Sequence, residues 1–175
     1  MARLLILCLL AVIGAAAPAP AQTGSRHAAP DLEALLPTSL GGVALTIESQ
    51  SGTDLTTSSV AFDAFLASLG KTRADFSLAS AYARKGLPAA VGAWRVEGAS
   101  GMKLLQSFKV ALQASSATPL ASAEEQLAGR PVTRIGDKGQ LAQGPLYAFA
   151  RGDTIWFVQT TEKRLAEEAM GKLPR

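Results

Sequence analysis

A strand that reaches a turn at an arginine, a second strand bearing a tryptophan, and then an amphipathic helix occur twice in this chain. In the first unit Phe76–Ala83 alternates apolar and small polar residues, Arg84–Pro88 turns the chain, and Ala90–Glu97 carries Trp94. A helix then starts at Ser100, its stripe made by Leu104, Leu105, Phe108, Ala111 and Leu112. In the second unit Leu146–Arg151 and Thr154–Thr160 form a hairpin about Gly152-Asp153, with Trp156 on its second strand. A helix from about Thr161 follows, with Leu165, Ala166, Ala169, Met170 and Leu173 on one side. Strands joined by tight turns pair antiparallel, and a helix after each hairpin can fold back over the sheet. The expected fold is therefore α+β: a two-layer sandwich of about six mostly antiparallel strands with helices packed on one face, and a pseudo-duplicated hairpin-helix unit.

The remaining elements extend that frame. Asp31–Leu36 reads as a short helix with Asp31 as its N-cap and Pro37 as its stop. Val43–Glu48 alternates like a half-buried strand. Phe62, Phe65, Leu66 and Leu69 make the stripe of a helix running from about Ser59 to Gly70. Gln126–Ile135 reads as one weak strand, and Gly129 and Pro131 within it suggest an edge.

The N-terminus has the form of a secretory leader. Arg3 precedes the apolar run Leu4–Ala17, and Ala19-Pro20-Ala21 offers an A-x-A site, so cleavage is expected after Ala21. Fourteen apolar residues at about 1.5 Å each reach about 21 Å, short of the roughly 30 Å hydrocarbon core. The expected organisation is a leader over 1–21, a flexible linker over 22–30 and one domain over 31–175, secreted or periplasmic, with no membrane span after cleavage. The single Cys, Cys8, leaves with the leader, so packing and not disulfides must stabilise the rest. With 48% hydrophobic and 18% charged residues, the composition can support a core.

Composition also closes several chemistries. The one His, His27, falls in the linker, where nothing in the sequence fixes its geometry, so Ser–His catalysis is not expected. A chain with one His and no thiol after cleavage lacks the usual ligands of a transition-metal site, and no cofactor or metal is expected. Ser100-Gly101-Met102-Lys103 and Ser68-Leu69-Gly70-Lys71 match S-x-x-K, a number that composition alone produces, and neither S-D-N nor K-T-G follows. Gly70-Lys71-Thr72 ends like a phosphate loop, but Phe65 stands where its first glycine belongs. Glu48, Asp54, Asp63 and Asp75 could pair as acid and base only if the fold set their spacing.

The net charge is +3. Between 76 and 151 the basic residues Arg84, Lys85, Arg95, Lys103, Lys109, Arg130, Arg134, Lys138 and Arg151 are spread out without a run, which argues against a nucleic-acid partner. What is left is binding. Trp94 and Trp156 could line a groove between the halves for an apolar or acyl ligand, and Arg84 and Arg151 could hold an anionic head group. The expected class is a non-enzymatic binding or interaction domain of the bacterial cell envelope or extracellular space, for a protein partner or a small apolar or acyl ligand. The alternative is a small secreted hydrolase using Ser–Lys or paired carboxylates.

Overall fold

The computed structural model describes residues 27–55, 60–83, 87–137, 140–141 and 144–175. In chain order the elements are α1 (Pro30–Glu33), β1 (Ser39–Leu40), β2 (Val43–Ala44), β3 (Thr46–Ser51), α2 (Val60–Ser68), a 3-10 turn (Arg73–Asp75), β4 (Phe76–Tyr82) and β5 (Ala89–Val96). There follow α3 (Gly101–Ser115), β6 (Ser122–Leu127), β7 (Arg130–Ile135), β8 (Leu146–Arg151), β9 (Thr154–Thr160) and α4 (Lys163–Lys172). β1 and β2 form a small ribbon, and the other strands form one seven-stranded sheet in the order β3-β4-β5-β9-β8-β7-β6. Every neighbouring pair is antiparallel. The α+β class and the antiparallel sheet expected from the alternating strands are what the chain forms.

The two hairpin-helix units meet along β5 and β9, where Trp94 lies opposite Ile155 and Ala93 opposite Trp156. That register separates the tryptophans. Adjacent residues on a strand point to opposite faces, so an offset of one residue sends Trp94 and Trp156 to opposite sides of the sheet. Trp94 joins Phe62, Phe65, Phe76, Leu104, Phe108 and Phe157 in a core beneath α2 and α3. Trp156 joins Val91, Tyr147, Phe149, Val158, Leu165 and Met170 in a second core beneath α1 and α4. The four helices are thus divided between the two faces, α2 and α3 on one and α1 and α4 on the other, which corrects the expectation of helices on one face of about six strands: the seven-stranded sheet carries apolar residues on both sides. Every residue of β9 is buried, the apolar run Ile155–Val158 and the polar Thr154, Gln159 and Thr160 alike.

Several local readings change. The segment read as one weak strand, Gln126–Ile135, holds the end of β6, a turn and β7; most of β6 lies before it, and the hairpin is paired from Ser122↔Ile135 to Leu127↔Arg130. Its two-residue turn is Ala128 (φ 51°) and Gly129 (φ 72°), the left-handed pair of a type I′ turn, and the alanine there hid it from composition. β6 is the sheet edge, and Pro131 lies beyond the β7–β8 pairing, which runs from Thr133↔Ala148 to Ile135↔Leu146. Val43–Glu48 is split between β2 and β3, and β3 runs on to Ser51. Ala29, not Asp31, is the N-cap of α1, and Pro30 takes its first position. Ser100 does occupy the N-cap of α3, but its hydroxyl makes no capping bond.

Three carboxylates tie the surface together. Asp75 takes the Thr72 backbone N–H at 2.8 Å and its hydroxyl at 2.9 Å in a capping box. Asp31 accepts from the Arg95 guanidinium. Glu168 accepts from Lys172 Nζ at 2.8 Å and from the Gly41 N–H at 3.1 Å. In each case these bonds outweigh partial burial and hold the carboxyl below its ordinary range. A lowered folded-state value adds stability that is present above the unfolded pKa, about 4, and is lost as pH falls through the folded value. We expect the melting temperature to decline as pH drops below about 4, and Asp75→Asn to flatten part of that decline. An acid limb identical in the variant would refute the assignment.

Candidate functional site

Of the four sequence-selected residues, the structure describes Trp94, Trp156 and Arg151, and it places the two tryptophans on opposite faces of the sheet. Trp94 and Trp156 are buried in different cores, so no groove has both rings as walls, and this corrects the expectation of a tryptophan-lined cleft between the halves. Trp94 makes edge-on contacts to Phe76, Phe108 and Phe157 at 5.6, 5.1 and 6.0 Å between ring centroids. Arg84 lies outside the described residues. Arg151 is exposed at the end of β8, on the Trp156 side of the sheet.

Ser68, Lys71, Asp63 and Asp75, among the residues raised for catalysis, are held in structural contacts. Ser68 Oγ donates to the Phe65 carbonyl at 2.7 Å, with Ser107 Oγ at 3.0 Å, while Lys71 lies 4.0 Å from Asp75. Asp63 is engaged by the Arg73 guanidinium at 2.8 Å. His27 corrects the linker reading. It forms a parallel bridge to Ser49, and its Nδ1 sits 3.0 Å from a Glu33 carboxylate oxygen. Ala29 beside it is buried, and its N–H donates to the fully buried Ser49 Oγ at 2.7 Å. Residues 27–30 therefore belong to the packed structure. A chain starting at Asp31 would leave Ser49 buried without that donor, and we expect it to lose about 1–3 kcal/mol in urea unfolding against the chain starting at Gln22. Equal midpoints would show that the 27–30 contacts contribute nothing.

A surface the sequence did not reveal lies between the C-terminal half of α3 and the β6–β7 hairpin. There Lys109, Val110, Leu120, Ser122 and Ile135 line an open groove of about 440 Å³. Val110 is 60% exposed. Two glutamines hold the chain segments beside the groove, and Gln113 also lines it. Gln113 Oε1 accepts the Leu120 N–H at 2.7 Å. Gln140 Oε1 accepts the N–H groups of Asp137 (2.7 Å) and Ala121 (3.2 Å), and its Nε2 donates to the Pro119 carbonyl at 3.0 Å. β6 borders the groove, is paired on one side only, and exposes Ser122, Glu124 and Gln126. In sequence Val110 and Leu120 are an off-stripe helix residue and a loop residue, and neither carried a signal.

The fold and this surface define an α+β domain with a seven-stranded antiparallel sheet and a preformed, partly apolar groove beside an open sheet edge. No family model, no curated protein and no solved structure matches the chain. No helix among the described residues is long and apolar enough to cross a membrane.

Proposed function

We propose that the chain is an exported, non-enzymatic binding domain of the bacterial cell envelope or extracellular space, and that it takes an extended segment of a protein partner at the groove between α3 and β6. The groove beside the open edge of β6 carries this reading. An added strand gains main-chain hydrogen bonds from the edge, and alternate side chains gain pockets. Here an apolar side chain would enter between Val110 and Leu120, and a basic neighbour would meet Glu124 on the same face of β6. The glutamine bonds that hold the segments beside the groove reduce what ordering costs on binding. The leader-like N-terminus supports export. A small acyl ligand is the second reading, favoured by Lys109 at the rim of an apolar surface.

A photo-crosslinking side chain at position 110 of the exported protein is expected to yield one discrete protein adduct, absent when Leu120→Asp is added and absent from the same probe at Leu35. The N-terminus of the recovered protein should be Gln22. Adducts of equal intensity from positions 110 and 35 would refute the groove. Saturable dodecanoate binding blocked by Leu120→Asp, without a protein adduct, would favour the acyl reading. Intact Met1 in the membrane fraction would refute export.

A further inference from the structure

We propose that Arg130, Arg151 and Arg175 form a receptor for a phosphate group at the C-terminal end of α4, on the opposite face of the sheet from the groove. The centre of the arrangement is Arg130 at the start of β7. Its guanidinium lies 4.1 Å from the centroid of the Phe149 ring, and its Nη2 donates to the Leu173 carbonyl, the C-cap of α4, at 3.1 Å. These contacts fix the plane of the group. Its Nη1 is buried and has no hydrogen-bond partner. A buried donor left without an acceptor is unfavourable, and native structures satisfy nearly all of them.

The surroundings add charge of the same sign. Leu173 brings Arg175 to this end of α4. The β7–β8 ladder begins at Thr133↔Ala148, and Arg130 and Arg151 each lie three residues outside that pair, past the same end of the two strands and on the opposite face from it. Phe149, two residues before Arg151, therefore presents its ring on the same face. Burial first, and then the charges of Arg175 and Arg151, hold the Arg130 guanidinium below its ordinary range. Among the described residues no carboxylate forms an ion pair with any of the three, whereas Arg73, Arg95 and Arg134 are each paired with acids.

An oxyanion at this point would accept from Nη1 of Arg130 and relieve the repulsion among three guanidinium groups. A phosphate, with up to two negative charges and several acceptor oxygens, fits three arginine forks better than a single carboxylate does. The C-terminal carbonyls of α4 carry partial negative charge, and Arg130 stands between them and the anion.

Inorganic phosphate, titrated at constant ionic strength set by chloride, is expected to raise the melting temperature saturably, because it binds only the folded state. Arg151→Ala and Arg175→Ala, both at exposed positions, should each weaken phosphate binding about tenfold or more without lowering the melt in chloride, since each removes a charge that repels Arg130. Arg130→Lys should fold, keeping charge but losing the fork, and should also bind phosphate more weakly. Co-sedimentation with phosphatidic acid vesicles, lost in the same variants, would place the phosphate on a lipid. Phosphate binding without co-sedimentation would place it on a soluble molecule. An equal rise with acetate, or phosphate binding unaffected by Arg151→Ala and Arg175→Ala, would overturn the proposal.

Discussion

Trp94→Ala should cost about 3–5 kcal/mol and remove most of the near-ultraviolet aromatic signal. Trp94 is the hub of the helix-covered core, with the rings of Phe62, Phe65, Phe76, Phe108 and Phe157 all within 6.5 Å between centroids. Edge-on geometry places ring edges against neighbouring faces, so the cluster adds directional contacts to the area it buries. Alanine would leave a cavity between α2, α3 and the sheet that neither helix can fill without losing its own stripe. Urea unfolding measures the effect. A loss below about 1 kcal/mol would mean the ring is not carrying the core. Trp156→Ala should fall in the same range through the other core, where Trp156 is 3% exposed. A Trp lining a binding groove would instead give a small stability loss.

Gly92→Ala should be destabilising by about 1–3 kcal/mol although it adds only a methyl group. A Cβ at 92 would stand 2.3 Å from Cζ of Phe157, which faces it across β5 and β9 as the directly paired residue. The ring cannot retreat easily, because it also contacts Trp94 at 6.0 Å and Phe108 at 6.4 Å. Phe157→Leu withdraws the end of the ring and makes room for the methyl group. The double variant should therefore be more stable than the sum of the two single losses predicts, by about 1 kcal/mol or more. Strict additivity in chemical unfolding would show that the close approach is not what position 92 guards.

Elements defined by short-range pattern were legible before any fold was known. The stripe Phe62, Phe65, Leu66 became the buried side of α2, and Leu104, Phe108, Leu112 that of α3. β4, β5, β8 and β9 follow the expected segments closely. Each of these depends on periodicity and on turn residues a few positions away. Pattern failed where local chemistry was misleading. Ala128 takes a left-handed turn that glycine or asparagine usually occupies, so the β6–β7 turn fell inside an expected strand and most of β6 outside it. His27 looked unanchored because its partners, Ser49 and Glu33, become neighbours only after the chain folds back.

The alternating runs and helix stripes of this chain sufficed for its class: an antiparallel sheet with amphipathic helices packed on it. Periodicity tells each residue which side of its own element it occupies, and burial of apolar stripes does the rest. It does not say how elements from distant parts of the chain align. The pairing of β5 with β9 decided that, by setting Trp94 against Ile155 and so placing the two tryptophans in separate cores. The same holds for the two surfaces proposed here. The groove exists because α3 ends beside β6 and β7, and the arginine cluster because α4 ends over the start of β7. The arginine cluster joins residues far apart in sequence and the groove joins α3 to Ile135 of β7, and only the packed sheet brings them within reach.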